Sequence, residues 1–320
     1  MRLIMMGTGP FAVPTFRALF NTRHTVVALV TAPLRVHRGK PVLPISCIRD
    51  IAADHKTPIL DPESVNLPEA QTALSGLAAD LFVVCDYGQI LSAATLATSR
   101  HGGINLHASL LPKYRGAAPI QWAIYHGETE TAVTVIHMTP QLDAGPCVAQ
   151  TRVAIASEET AAELEVRLAD LGAQLVVQTI DAIEAGTVQP LPQDASLACK
   201  APRLKKTDGL IDWSRSAIAI KNQIRAMTPW PASYTFWHRA GGTPVRLILG
   251  PATVVEQPAG TAPGTVVEAS AHRLVIAAGQ DAIAPHTVQP AGKRAMPVDE
   301  FLRGHPVRPG DWLGGEAAEQ

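Results

Sequence analysis

Asn105 and His107 stand two residues apart in the run Asn105-Leu106-His107-Ala108-Ser109-Leu110-Leu111-Pro112, and Asp143 follows in a second run, Leu142-Asp143-Ala144-Gly145. An amide, an imidazole and a carboxylate can between them bind a carbonyl oxygen, move a proton and hold the imidazole in position. Gly102-Gly103-Ile104 comes just before. The pair therefore reads as the end of a short strand, where period-two alternation turns both side chains to one face. No serine or cysteine sits beside them in a nucleophile-elbow pattern, so the attacking group is expected to come from a substrate. That chemistry suits transfer of an acyl or formyl group to an amine.

The chain has 11 histidines, and most are expected to be surface or core bystanders. His101, His126 and His137 form no HxxxH or HExxH spacing, so no metal centre is expected. His107 stands out by its company: Asn105 on the same face, and Asp143 in a turn closed by Gly145. Ser109, Leu110, Leu111 and Pro112 follow directly and could wall a ligand slot. Asp86-Tyr87-Gly88-Gln89-Ile90-Leu91 follows an apolar run, Leu81 to Cys85. Gly88 would let a flat ligand approach backbone groups able to read a heterocycle's edge, although in isolation the segment reads as a strand-to-helix connection.

At 320 residues the chain exceeds one ordinary core, and two domains are expected. A 47% hydrophobic and 17% charged composition is that of a soluble globular protein. The apolar runs are far shorter than a membrane span, and the opening MRLIMMGTG lacks a secretory signal pattern. Cys47, Cys85, Cys147 and Cys199 are scattered without a CxxC pair, which fits free thiols in a reducing cytoplasm.

The first half alternates strand and helix. Strands are read at Leu3–Met6, Thr25–Val30, Leu81–Cys85 and Ile104–Leu106, with extended segments at Thr131–Met138 and Val148–Ile155. Helices are read at Phe11–Phe20, Ile45–His55 and Glu158–Ala185, the last capped by Ser157, with Thr160 close behind, and by Gly186. The pattern implies an α/β Rossmann-like, doubly wound, mostly parallel sheet with ligands at the carboxyl ends of its strands. Residues 1–188 form this domain and 189–209 a basic linker. Residues 210–314 carry a helix, Ser216–Met227, and then short strands (Ser233–Trp237, Val245–Leu249, Thr265–Val267, Arg273–Ala277). Turns separate these strands in the manner of a small barrel or sandwich.

The net charge of −1 argues against a nucleic-acid partner, yet cations concentrate in one stretch. Lys200, Arg203, Lys205, Lys206, Arg215, Lys221, Arg225 and Arg239 face only Asp208 and Asp212. Composition favours a solvated linker over a track for phosphates. Arg35, Arg38 and Lys40 form a second basic loop, read equally well as ordinary surface or as a phosphate grip. A rival function is carried by Gly7-Thr8-Gly9-Pro10-Phe11-Ala12, which fits the dinucleotide fingerprint of an NAD(P)-dependent dehydrogenase. The second strand, however, ends in Leu29-Val30-Thr31-Ala32-Pro33 without the acid that would hold a ribose, and Pro10 lacks the N–H that the phosphate turn needs.

These residues are where the chain resembles the methionyl-tRNA formyltransferases, over nearly its whole length. The resemblance lies in MGTGPFAVP at the start, NLHASLLPKYRGAAPIQW from Asn105, GETETAVTVIHM from Gly127 and LDAG from Leu142. It continues in IDWSRSA, IRAMTPWPASYT and QPAGKRAM from Gln289. The central block is shared with other formyl-tetrahydrofolate enzymes, so a UDP-amino-sugar formyltransferase is the first alternative. A non-catalytic tRNA-binding module is the last. The resemblance implies an OB-like second domain that helps to hold tRNA. It implies 10-formyltetrahydrofolate as donor without a metal, and methionyl-initiator tRNA as acceptor. It fits a cytoplasmic protein with no membrane partner, acting as a monomer.

By the same resemblance Asn105 binds the formyl oxygen, His107 assists in proton transfer, and Asp143 orients it and helps deprotonate the amine. Ser109, Leu110, Leu111 and Pro112 line the folate site, with Tyr87, Gly88, Gln89 and Ile90 against the pterin. Arg38 and Lys40 match a basic loop that reaches the tRNA acceptor end, Arg35 beside them is taken as tRNA-binding too, and Lys205 and Lys206 become part of a phosphate track. The chain departs from the family in Leu34, where Asp is usual, in a loop about one residue shorter, and in Gly9-Pro10, where Pro-Asp is usual.

Overall fold

A computed structural model describes residues 1–34, 36–37, 40–41, 47–239, 242–257, 260–270 and 272–316, with backbone alone for 36–37 and 40–41. The chain forms two compact units. The first gathers Met1–Pro119, Glu130–Ala154 and Glu163–Pro202, and the second gathers Ile120–Thr129, Ile155–Ala162 and Arg203–Gln320. The break thus falls at Pro202/Arg203, inside the stretch read as a linker, and two short segments of the expected first domain belong to the second unit.

The first unit contains β1 (Arg2–Met6), α1 (Val13–Leu19), β2 (Thr25–Val30), β3 (Val36–His37), β4 (Lys40–Pro41), α2 (Cys47–Asp54), β5 (Ile59–Leu60), α3 (Pro68–Gly76), β6 (Leu81–Cys85), α4 (Ala93–Leu96), β7 (Gly103–His107) and β8 (Arg115–Gly116). A further helix, α5 (Pro119–Tyr125), lies almost wholly in the second unit. Then come β9 (Glu130–His137), β10 (Cys147–Ala154), α6 (Ala161–Glu184) and β11 (Lys200–Ala201).

Seven strands make one sheet in the order β10-β9-β7-β6-β1-β2-β5. β1 pairs parallel with β2 and β6, and β6 with β7, whereas β9 runs antiparallel to both β7 and β10. The mostly parallel expectation therefore holds, with an antiparallel edge. The five apolar residues of β6 are all buried, as a strand covered on both faces requires. Strand order reverses between β1 and β6, which opens a crevice at their carboxyl ends beside the end of β7.

Helix α6 begins at Ala161, three residues later than read. The Ala156 N–H bonds the Glu159 side chain at 3.1 Å and the Glu159 N–H bonds the Ala156 carbonyl at 3.2 Å. This local turn takes the groups a helix beginning at Glu158 would need, so Ser157 does not cap it. The far end is as expected: Gly186 has φ +67° and the Thr187 N–H returns to the Ala182 carbonyl at 3.0 Å.

The second unit adds α7 (Ala217–Ala226), β12 (Tyr234–His238), β13 (Val245–Leu249), β14 (Ala252–Val255), β15 (Val266–Ser270), β16 (Arg273–Ala277), β17 (Ala282–Pro285), β18 (Thr287–Pro290), β19 (Met296–Pro297), α8 (Val298–Gly304) and β20 (Trp312–Gly314). The Ser216 hydroxyl caps α7 by accepting from the Ala219 N–H at 3.3 Å. Antiparallel sheets ordered β19-β18-β13-β12-β20 and β14-β17-β16-β15 enclose a core that includes Trp213, Trp237, Ile276 and Phe301. Among the described residues no helix is long and apolar enough to cross a membrane.

Candidate active site

β7 delivers Asn105 and His107 to one place, and Asp143 meets them there from the β9–β10 connection. Asp143 Oδ1 accepts from Asn105 Nδ2 at 3.2 Å, and Oδ2 lies 3.6 Å from His107 Nδ1. The side chains of His107 and Asp143 are 6% and 11% exposed, so their mutual field is little screened by water. His107 Nε2 lies 2.9 Å from the Tyr114 carbonyl. A carbonyl only accepts, so Nε2 carries a hydrogen and donates it. Nδ1 is the other end of the ring, and it is the end that faces Asp143.

Backbone elements, of which the sequence reading named only Gly145, complete the arrangement. The Gly116 N–H donates to Asp143 Oδ2 at 3.0 Å. Gly116 stands at φ +130° beside β11, and a Cβ there would lie 2.4 Å from the Ala201 carbonyl oxygen. Gly145 is required by crowding alone, since its Cβ would sit 1.7 Å from the His137 carbonyl oxygen. Asp143 itself adopts φ +47°, a left-handed conformation that aspartate tolerates at a cost of about 1 kcal/mol. β8 is held in turn by parallel pairing with β11, and Leu191 exchanges two backbone hydrogen bonds of 2.8 Å with Cys147. Part of the expected linker is therefore the outer wall of the site. The KYRG run gave no motif from which this could be read.

The other predicted positions divide by burial. Ser109 is fully buried and its hydroxyl donates to the Lys113 carbonyl at 2.6 Å; Leu111 is also buried. Tyr87 is packed in the core with Val65, Leu74 and Leu91, and burial pushes its phenol up to about 12. These three side chains offer almost no surface of their own, so a ligand at this segment would meet its backbone and its less buried neighbours. Gln89 is occupied as well, accepting from the Val65 N–H at 2.8 Å. Leu110 and Pro112 are half-buried, Ile90 is 54% exposed, and nothing lies within 4 Å of the space over Gly88. An open glycine flanked by apolar surface fits the edge of a flat heterocycle.

Asp86 opens that loop. Burial of its carboxyl against the 9–11 turn raises it to about 6, helped by the charge of Glu165 and opposed by the Phe11 N–H, although the residue as a whole is exposed. The opening turn itself cannot cradle a pyrophosphate. The Gly7 N–H bonds the Val30 carbonyl at 3.0 Å, and the Thr8 and Gly9 N–H groups bond the Asp86 carbonyl at 2.9 and 3.3 Å. With Pro10 lacking an N–H, the donors a dinucleotide needs are already taken, and the dehydrogenase reading loses its anchor.

The basic stripe is not continuous. Arg225 is 8% exposed and donates to the carbonyls of Ala156 at 3.1 Å and Glu159 at 2.8 Å. Arg215 donates to the Tyr125 hydroxyl at 2.7 Å and lies over that ring, and Lys221 bonds Glu158. These cations fasten the 120–129 and 155–162 segments within the second unit. Their side chains turn to a face rich in acceptors, which composition does not reveal. Lys200, Arg203, Lys205, Lys206 and Arg239 remain exposed. Arg35 and Arg38 lie outside the described residues, and of Lys40 only the backbone is described, paired with His37. Among the described residues one group, His24, Asp181 and Glu184, is close enough to share a cation, but both acids already pair with Arg23 at 2.9 and 2.6 Å.

Comparison with known proteins gives matches over nearly the whole chain. Residues 1–180 match the formyl transferase family and residues 203–306 its C-terminal domain. The chain is 41% identical over 319 residues to the methionyl-tRNA formyltransferase of Citrifermentans bemidjiense, covering 99% of this chain and 98% of that one. It is 42% identical over 315 residues to that of Moorella thermoacetica, covering 98% and 99%. Among solved structures, an N-formyltransferase from Helicobacter canadensis, in complex with folinic acid and dTDP-3-aminofucose, superposes with a TM-score of 0.64 at 18% identity over 88% of this chain and 98% of that one. HypX from Aquifex aeolicus in complex with tetrahydrofolic acid gives 0.58 at 13% identity over 94% and 46%. Likenesses at that identity speak for the fold alone, whereas the identity to the first two extends from end to end. On that ground the chain belongs to the methionyl-tRNA formyltransferase family.

Proposed function

We propose that the protein transfers the formyl group of 10-formyltetrahydrofolate to the α-amino group of methionine carried by initiator tRNA. The observation that carries the reading is that Asp143 reaches both Asn105, at 3.2 Å, and His107, at 3.6 Å, at the carboxyl end of β7. One N–H of Asn105 is spent on Asp143; the other is available to the formyl oxygen as negative charge develops there. His107 Nδ1 accepts the proton released by the incoming amine, and the Asp143 carboxylate stabilises the resulting imidazolium. Folate supplies a formyl carbon on a nitrogen leaving group; as the carbon–nitrogen bond to folate breaks, that nitrogen takes the proton back from the His107 imidazolium. The Gly88 and Ile90 backbone edge with Leu110 and Pro112 would hold its flat head. No residue of the chain becomes acylated, in keeping with the lack of a nucleophile-elbow pattern beside Asn105 and His107.

The exposed Lys200, Arg203, Lys205 and Lys206, together with Arg35, Arg38 and Lys40, are proposed to meet tRNA phosphates. The protein is proposed to act as a monomer in the cytoplasm. The test is to incubate purified protein with 10-formyltetrahydrofolate and charged initiator tRNA and follow formylmethionine. Formylation of the tRNA and not of a nucleotide amino sugar supports the reading. The reverse preference supports the sugar alternative, which has the same folate chemistry and structural neighbours of the same fold.

A further inference from the structure

Gln193 lies in the stretch read from sequence as a linker, yet its half-buried carboxamide spends its full hydrogen-bonding capacity on the site. Nε2 donates to the carbonyls of Asp143 at 2.8 Å and Gly145 at 2.7 Å, and Oε1 accepts from Arg115 Nε at 3.0 Å and Nη2 at 2.7 Å. The orientation of the amide is fixed by chemistry, because carbonyls only accept and a guanidinium only donates. Both ends of this bridge reach the triad. Asp143 sits at φ +47°, a conformation that its surroundings must hold. Arg115 lies between Tyr114, whose carbonyl fixes the His107 ring, and Gly116, whose N–H binds the Asp143 carboxylate.

We propose that Gln193 is a positioning residue for formyl transfer: it clamps the Asp143 loop to the Tyr114–Gly116 strand and so sets the approach of the carboxylate to His107 Nδ1, without itself touching either substrate. The proposal rests on the site assignment above. It explains why the connection after Leu191 stays on the first unit as far as Pro202 instead of leaving it directly. Its energetic logic is that of an outer partner orienting a reacting group, where small displacements carry large rate penalties.

The test compares Gln193→Met and Gln193→Glu in the full chain. Methionine keeps the length and loses every bond. Glutamate keeps the acceptor for Arg115 but sets a carboxylate oxygen against two carbonyl oxygens, so the two halves of the clamp are separated. Both variants are expected to lose about 10- to 100-fold in kcat, with KM for either substrate within about threefold of native. In an Asp143→Asn background, Gln193→Met is expected to cost less than about threefold further, because the group it positions has lost its charge. Gln193→Asn, one carbon shorter, serves as a milder variant and is expected between native and Gln193→Met. A near-native kcat in Gln193→Glu, a loss confined to KM, or equal losses in both backgrounds overturns the clamp alone. No formyl transfer by the native chain, or a native rate in Asp143→Asn, overturns the site assignment and the clamp with it.

Discussion

Replacing Asp143 by asparagine keeps the shape of the side chain and removes its charge, which makes it the cleanest perturbation of the site. At 3.6 Å and an effective dielectric of about 20, the attraction between this carboxylate and a protonated His107 is on the order of 4 to 5 kcal/mol. Part of that is offset in the native site by desolvation of the carboxylate, so the net loss is smaller. There is a second effect. The carboxylate accepts from both Asn105 Nδ2 and the Gly116 N–H, so the NH2 of an asparagine must confront one donor. The Gly116 N–H cannot turn away, whereas the Asn105 amide can rotate. It would then withdraw the N–H offered to the formyl oxygen. Taking about 3 to 4 kcal/mol for both effects at 1.36 kcal/mol per tenfold, kcat should fall about 10²- to 10³-fold. Single-turnover formylation with both substrates saturating reads this directly, with thermal unfolding alongside to show that the fold persists. A fall of less than about tenfold, or one explained by an unfolded protein, would refute the charge argument.

Other expectations are independent of that one. Gly145→Ala places a Cβ 1.7 Å from the His137 carbonyl oxygen, so the unfolding midpoint should drop by several degrees, about 2 to 3 kcal/mol; an unchanged midpoint contradicts the crowding. Asp86 is raised to about 6 from an ordinary value of 3.8, so the folded chain binds more protons than the unfolded one between those values, and stability falls as pH rises through them. Asp86→Asn should therefore raise the midpoint at about pH 8 and leave it unchanged at about pH 3, and an equal effect at both is the contrary result. Lys205→Ala with Lys206→Ala should flatten the salt dependence of tRNA binding by roughly two units of log–log slope. Arg225→Ala should leave that slope alone while costing about 3 kcal/mol of stability, because two carbonyls lose a buried charged donor. A reversed pattern would return Arg225 to the phosphate track.

The triad was legible because its signal is local. Asn105 and His107 are two apart on a strand, and period-two geometry alone puts them together; the Asp-Ala-Gly turn advertises the third member. The parallel sheet was legible for a similar reason, since β1, β2 and β6 are short apolar runs that only a doubly covered sheet can bury. Two-residue strands such as β5, β8 and β11 have too few residues for any period, and β11 owes its existence to a partner far away in sequence. Side-chain burial within the Ser109–Pro112 run was equally hidden: Ser109 is polar yet has no exposed surface, because Lys113 closes back over it. The helix-borne cations misled because composition counts charges and not acceptors. Arg225 looks like a surface cation until the carbonyls at 156 and 159 are placed beside it.

The claim beneath all of this is that one N–H of Asn105 reaches the formyl oxygen while the Nδ1 end of His107 takes the proton of the attacking amine. The most direct measurement is a crystal structure of the full chain with a non-transferable formyl-folate. The formyl oxygen should lie about 3 Å from Asn105 Nδ2, with the pterin against the Gly88 backbone. A folate seated with its formyl group turned away from Asn105, or more than about 6 Å from it, would contradict the account.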